Sequence, residues 1–373
     1  MKVLLTATLQ SHICQFHKPL VEMLHEHGVE VHVAARDNLA EKNGLKLDFV
    51  EKVYNVPFAR SPKSPDNLKA YKQLKRIIDE GHYDIIHCNT PMGGVVTRLA
   101  ARAARKNGTK VFYTAHGFHF YNGAPKMNWL VYYPIEKFCA EHYTDKLITI
   151  NQEDYECAKN RFKCQIEHIH GVGVKSDRYH PASAEEQHEM RIKEGLKDDD
   201  FVILCTGELL PNKNQKTLIE AVKLCEDKIP NIKLLLAGNG PERENLERQI
   251  EALELQGKAK LLGYRTDLEE VAPCVDLIAS ASFREGLPLN IIEGMLCARP
   301  VIASHNRGHN ELVEDGVTGY LVDPESASRF AEKIKQLAEM NPETRTQIGR
   351  DGYEKIQAYT AENVKKELNE IYY

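Results

Sequence analysis

The sequence predicts an α/β protein made of two doubly wound, Rossmann-like parallel sheets. Short apolar, β-branched runs alternate with amphipathic segments along all 373 residues. That is the pattern of parallel strands covered by helices on both faces. The alternation comes in two sets, separated by a stretch rich in glycine, proline and charge. The chain is also longer than one ordinary core.

In the first set, strands are predicted at 2–7, 29–35, 83–88, 110–115, 146–150 and 166–169, and helices near 16–27, 67–80, 92–107, 127–143 and 152–162. The run Met1–Ala7 is apolar but gives way at once to Gln10, Ser11 and His12, so it reads as a first strand and not as a signal peptide. In the second set, strands are predicted near 201–206, 232–237, 259–262, 275–280, 300–303 and 320–322, and helices near 214–227, 242–256, 288–298, 326–340 and 343–358. The break is expected within 171–198, which holds Gly171, Gly173, Pro181, Ser183 and a charged run to Glu194. The expected domains are 1–175 and 176–357, with a last helix, 358–373, packing back on the first. Ligands of such sheets sit beyond the carboxyl ends of the strands, which places the expected site in a cleft between two facing domains.

Composition narrows the function. Hydrophobic residues make up 42% and charged residues 28%, an ordinary soluble mixture. No apolar run approaches the ~20 residues that span a bilayer. The nine cysteines are odd in number and scattered, without a Cys-x-x-Cys pair. This fits reduced thiols in a cytoplasm and argues against a zinc ribbon or disulfide framework. The net charge of −5 hides an asymmetry: residues 1–175 hold 24 Lys+Arg against 18 Asp+Glu, and residues 176–373 hold 25 against 36. Lys69, Lys72 and Arg76 share one helix face, as do Arg98, Arg102 and Arg105. These faces are either solvated or drawn to anionic lipid or a lipid pyrophosphate. No nucleic-acid partner is expected.

The chemistry concentrates in loops that follow strands. Glu285 lies just after one strand, and Glu293 lies in the helix that follows, with Gly286, Leu287, Pro288 and Leu289 between them. Gly286 suits a strained backbone and Pro288 a first helical turn, whose free amides attract anions. Two carboxylates so spaced hold a sugar nucleotide at both ends, or else are two solvated surface glutamates. The loop Gly207–Asn214 carries Glu208 and Lys213, a lysine able to meet a diphosphate as a point charge. Gly238-Asn239-Gly240-Pro241 and Gly263-Tyr264-Arg265-Thr266-Asp267 end the next two strands. Each is ambiguous alone; together with the glutamates they form a more specific constellation. In the first half, His116 closes a strand beside Gly117 and is favoured by position over the other fifteen histidines. Residues 118–135 are rich in Phe, Tyr and Met and hold the single tryptophan, Trp129. They read as packing, or as an apolar acceptor groove or membrane face. The first loop lacks a Gly-x-Gly-x-x-Gly fingerprint, and no Walker A loop is present. Asp198-Asp199-Asp200 reads as linker, and His, Cys and Asp show no metal-ligand spacing, so no metal is expected.

Together these residues resemble the retaining glycosyltransferases of family 4, with the GT-B fold, over essentially the whole chain. The Glu285–Glu293 pair is similar to that family's signature, which implies that Glu285 contacts the donor sugar and Glu293 the ribose. Gly207-Glu208-Leu209…Lys213 resembles the family's Gly-Arg-Leu…Lys loop, Gly238–Pro241 its GxGP turn, Gly263–Asp267 its base-contacting loop and His116 its site histidine. The first domain is then the acceptor side and the second the donor side. The stretches Thr114–Phe120 and Gly207–Asn214 look most like members that build capsular polysaccharide or exopolysaccharide on a polyprenyl carrier.

Two positions depart from the pattern. Glu208 stands where the family carries a phosphate-binding arginine, leaving more work to Lys213 and backbone amides, with Lys216 or Arg307 as helpers. Leu9-Gln10-Ser11-His12 replaces a glycine-rich acceptor loop. His12, His119 and Trp129 are carried as weaker acceptor-side candidates.

The resemblance implies metal-independent, cofactor-free transfer of a hexose or N-acetylhexosamine from a nucleotide sugar, UDP-linked by preference. The acceptor is a glycan on polyprenyl pyrophosphate. The enzyme is expected in the cytoplasm, peripheral to the inner face of the membrane through its basic half. The rival readings are a nucleotide-sugar epimerase of the same fold and a non-catalytic binding subunit, the latter favoured by Glu208.

Overall fold

The computed structural model describes residues 1–41 and 44–373, and by contact the chain divides into two compact units. The first unit comprises Met1–Gly173 and Ala361–Tyr373. Its elements run β1 (Lys2–Leu9), α1 (Gln10–Phe16), α2 (Lys18–Glu26), β2 (Glu30–Arg36), β3 (Lys52–Asn55), α3 (Asp66–Gly81), β4 (Ile85–Asn89), α4 (Pro91–Ala100), α5 (Arg102–Lys106), β5 (Lys110–Ala115), α6 (Lys126–Tyr143), β6 (Lys146–Thr149), α7 (Gln152–Arg161) and β7 (Gln165–His168). The sheet is parallel throughout, in the order β3-β2-β1-β4-β5-β6-β7. The strands β1, β2 and β4 read as continuous buried runs because helices cover both faces.

The second unit, Val174–Thr360, holds α8 (Ala184–Glu194), β8 (Phe201–Thr206), α9 (Gln215–Cys225), β9 (Ile232–Ala237), α10 (Arg243–Ala252), β10 (Ala259–Gly263), α11 (Leu268–Val271), β11 (Leu277–Ser280), α12 (Leu289–Leu296), β12 (Val301–Ser304), α13 (Arg307–Leu312), β13 (Gly319–Val322), α14 (Ala327–Glu339) and α15 (Pro342–Lys355). Its parallel sheet is ordered β10-β9-β8-β11-β12-β13. The last helix, α16 (Ala361–Tyr372), belongs to the first unit, where Lys365 meets Glu22 and Glu26 of α2. Both sheets therefore reverse their winding beside the first strand of the set, between β1 and β4 and between β8 and β11.

The structure corrects the sequence reading at several points. β3 was not expected: it is an edge strand, three of its four residues are exposed, and so it has no buried run to betray it. The charged stretch taken as linker contains α8. A capping box joins Ser183 and Glu186, and Gly195 ends the helix in the left-handed region. The helix buries little besides Arg191, so apolar periodicity missed what its caps announce. The predicted helix 16–27 starts earlier, directly after β1, and breaks at His17. Gly286 has no positive φ among the described glycines.

The basic face of Arg98, Arg102 and Arg105 is not a free surface. Arg98 is fully buried, donates to both Glu136 oxygens at 2.6 and 3.2 Å and to the Gly94 carbonyl, and lies 4.0 Å over the Tyr113 ring. Arg105 is tied to Asp145. Among the described residues no helix is long and apolar enough to cross a membrane.

The Arg98–Glu136 pair joins α4 to α6 and satisfies a charge that water cannot reach. Glu136→Ala strands that guanidinium and is expected to cost about 3–5 kcal/mol of stability. Denaturant unfolding measures it, and a loss below about 1 kcal/mol would mean that the pair contributes only what a surface ion pair does.

Candidate functional sites in the two units

At the reversal point of the second sheet, the loop after β8 and the loop after β11 come together. Lys213 Nζ sits 2.6 Å from Glu285 Oε1, with both side chains largely buried. Asn212 donates to the Arg284 carbonyl, and the Phe283 amide donates to the Asn212 carbonyl, so the two loops are laced by backbone as well as by charge. Asn214 holds the left-handed φ of +53° that closes the first loop, and its amide reaches the Ala281 and Pro324 carbonyls. Asn290, in the first turn of α12, donates to the Thr206 carbonyl at the end of β8.

The glycines set how closely these loops pack. Gly238 has φ +154°, and a Cβ there would lie 1.9 Å from the Gly207 carbonyl oxygen. A Cβ at Gly240 would lie 2.3 Å from the Leu209 oxygen. A side chain at either position would push the β9 loop off the β8 loop that carries Lys213. On the other side, a Cβ at Gly308 would lie 3.0 Å from Glu285 Cβ, so α13 presses on the glutamate.

α12 begins after Pro288 without a side-chain cap, leaving its first amides as an anion-attracting end. Glu293 lies one turn further on. Burial pushes its carboxyl up to about 7, against a hydrogen bond from the Tyr179 hydroxyl and the nearby Arg178 charge. Arg265 forms a bidentate pair with Glu194 and a second pair with Asp267, so the loop Gly263–Asp267 is held to α8. Tyr264 between them is half exposed. Glu208 is exposed, and its carbonyl accepts from Gln215. Sequence reasoning missed His309. It is fully buried, its Nδ1 lies 2.7 Å from the Ser304 carbonyl, and Glu285 and Lys213 are near enough to act on its charge. Burial holds it down at about 4.

At the reversal point of the first sheet, His116 follows β5 and meets Asn89 Oδ1 at the end of β4, 3.1 Å from its Nε2. His12, in α1 directly after β1, places its Nε2 3.3 Å from the same nitrogen. His17 completes a group of three, correcting the expectation that no such residues cluster. Burial lowers the pKa of all three, that of His116 to about 4. Thr90 beside them holds φ +64° and is fixed by hydrogen bonds to Thr8. A cavity of about 380 Å³ opens here, with His12, Arg60, Thr90 and His119 among its polar lining and Phe118, Val131, Tyr132 and Ile135 among its apolar lining. Trp129 is not part of that wall; its indole packs on Phe120 and Tyr133 and donates to the Tyr121 carbonyl.

Residues 186–355 match the family described as "Glycosyl transferases group 1", and residues 2–151 match "Glycosyl transferase 4-like". EpsD of Bacillus subtilis (strain 168) is 43% identical over 373 residues, which is 100% of this chain and 96% of that protein. The chain belongs to this glycosyltransferase family. The UDP-Gal:alpha-D-GlcNAc-diphosphoundecaprenol alpha-1,3-galactosyltransferase of Escherichia coli is 27% identical over 310 residues, 81% of this chain and 79% of that protein. Among solved structures, Anabaena HepE in complex with UDP and glucose has a TM-score of 0.79 at 23% identity, covering 100% of this chain and 99% of that one. WaaG, a glycosyltransferase involved in lipopolysaccharide biosynthesis, has a TM-score of 0.76 at 16% identity, covering 98% of each chain. The glycosyltransferase thus has the GT-B fold, with two Rossmann-like parallel-sheet domains.

The raised carboxyl of this glycosyltransferase has a readable consequence. The folded state holds the Glu293 proton more tightly than the unfolded chain, so its contribution to stability is present below the ordinary value of 4.5 and is lost as pH rises through about 7. The stability of the wild type minus that of Glu293→Gln should fall across this window and level off above it, in denaturant melts at several pH values. A flat difference would mean a solvated carboxylate.

Proposed function

We propose that the protein transfers a hexose or N-acetylhexosamine from a UDP-linked donor to a glycan carried on polyprenyl pyrophosphate, with retention at the anomeric carbon, in surface polysaccharide biosynthesis. The observation that carries this reading is the Lys213–Glu285 pair, set at a sheet reversal beside the uncapped start of α12 with Glu293 one turn on. A donor diphosphate entering there competes with Glu285 for Lys213 and meets the α12 amides, so protein groups rather than a bridging metal neutralise the leaving group. Glu285, partly released, accepts hydrogen bonds from the sugar hydroxyls. Glu293 takes the ribose, the loop Gly263–Asp267 the base, and His116 the sugar or the transferring oxygen. Retention follows front-side attack, with the leaving phosphate accepting the acceptor proton. Support for the donor and carrier comes from the names of the relatives: HepE is described with UDP and glucose, and the E. coli relative as acting on a diphosphoundecaprenol.

Titration calorimetry without added divalent cation tests the donor site. UDP should bind in preference to GDP and ADP, and Glu293→Ala should weaken it about 10- to 100-fold, the worth of hydrogen bonds to a charged group. Preference for another nucleotide, or unchanged affinity in the variant, would overturn the assignment. Product analysis with donor alone separates transfer from epimerisation, and binding without turnover on a lipid-linked acceptor would favour the non-catalytic subunit.

This reading puts the acceptor side at the cavity of the first unit and the same unit against the inner face of the cytoplasmic membrane. Met127, Leu130, Val131, Ile135 and Phe138 of α6 are exposed along one face of that helix. Val131 and Ile135 also line the cavity, so its apolar wall continues onto the exposed face. Exposed Arg60 and Lys63 lie at or next to its rim, suited to anionic head groups. Sedimentation with anionic vesicles should capture the wild type, and Leu130→Glu with Ile135→Glu should weaken capture at least tenfold. No capture of the wild type would remove the membrane from this reading.

A further inference from the structure

The proposed function uses His116 of the first unit and gives no step to His12 and His17, which lie against it. His12 lies in α1 and His17 caps its C-terminal end, and His116 follows β5, with β4 between that strand and β1. One ring nitrogen from each lies within 4.8 Å of the other two. The Nε2 atoms of His12 and His116 are 3.3 Å apart, and the His12 and His17 rings stand nearly perpendicular to that of His116. His17 is 4% exposed, and its Nε2 is buried without a hydrogen-bond partner. Leaving such an atom unsatisfied costs about 1–3 kcal/mol.

No carboxylate joins this cluster among the described residues. Each uncharged imidazole keeps one lone pair beside its one N–H; an N–H···N bond between His12 and His116 would use one of these lone pairs but still leave His17 Nε2 without a partner. Nitrogen ligands of zinc lie about 2.0–2.1 Å from the metal, so two of them in a tetrahedral site stand about 3.3 Å apart. The His12–His116 separation matches that edge, and the other two ligand separations lie within 4.8 Å.

We propose that His12, His17 and His116 bind a divalent transition cation of the zinc class, with a fourth position open towards the cavity that His12 lines. Binding takes the lone pair of His116 Nε2, so the ring proton sits on Nδ1. A water in the fourth position then supplies the donor that Asn89 Oδ1 loses. An anionic group in the cavity can displace that water. The site shares His116 with the proposed function, which gives that ring to the sugar or the transferring oxygen; metal binding is read in the absence of donor, so the two readings can fail separately.

The test uses the full-length protein stripped with chelator and titrated with Co²⁺ and then Zn²⁺. The expected result is one Co²⁺ per chain, with the intense visible absorption of four-coordinate cobalt, and its loss on adding Zn²⁺. His17→Ala should weaken binding at least about 100-fold, more than the loss of an outer-sphere partner costs. His188→Ala, on the exposed face of α8, should bind as the wild type does. Circular dichroism checks that the variants fold; if His17→Ala does not, His12→Gln replaces it. Absence of tight 1:1 binding by the wild type, six-coordinate cobalt spectra, or full affinity in a folded His17→Ala or His12→Gln would each overturn the proposal.

Discussion

In a parallel sheet ordered 3-2-1-4, the connections leaving strands 1 and 4 run to opposite faces, and the gap between them is where two loops approach without a helix in the way. The second unit uses that gap for Lys213 and Glu285. Their 2.6 Å contact binds two loops that are 72 residues apart in the chain. Almost every polar feature nearby serves that approach: Asn214 closes one loop, Asn212 stitches it to the other, and Asn290 ties the α12 start to the end of β8. The pair is also poised. Each partner neutralises the other, and the proposed donor, with an anionic phosphate and donating hydroxyls, would compete for both.

In the proposed function, backbone proximity takes the place of the arginine that the family carries at the position of Glu208. With Glu208 in the β8 loop, positive charge at this end of the sheet comes from Lys213, from Arg307, whose Nε reaches the Glu285 carbonyl, and from the uncapped α12 amides. Amides act only at short range, which is why Gly238, Gly240 and Gly308 matter: a Cβ at any of them meets the neighbouring loop at 3.0 Å or less. Gly238 and Gly240 thus keep the β9 loop against the β8 loop, and Gly308 keeps α13 against Glu285.

Much of this was legible because the fold puts ligands after strands, and strands announce themselves as apolar runs. Glu285, Glu293, Lys213 and the glycine turns could be singled out as candidates by that logic, and the family resemblance gave them their expected roles. What sequence could not supply was partnership. Nothing local marks Arg98 as buried or pairs it with Glu136, 38 residues away. Arg265 reads as a ligand-facing cation until α8 delivers Glu194 to it. His309 carries no signal except the Asn306 cap three residues before it. The elements that were missed, β3 and α8, bury little, so periodicity had nothing to detect; the α8 caps did, and were the better guide.

The first unit uses the same reversal point for different chemistry. Its loops bring imidazoles where the second unit brings a lysine and a glutamate. Burial without a carboxylate keeps those imidazoles neutral, and His87 beneath them, held at about 3 between Tyr372 and Thr114, adds another ring that resists protonation. Of the three clustered histidines, His12 lines the apolar cavity, beside the Arg60 guanidinium whose charge also acts on it. The proposed lipid-linked acceptor would lay its tail along Val131, Tyr132 and Ile135, which lead towards the exposed face of α6. One doubly wound plan, used twice, thus yields a charged site and a neutral one, the difference lying wholly in which side chains the sequence places after strands one, four and five of each sheet.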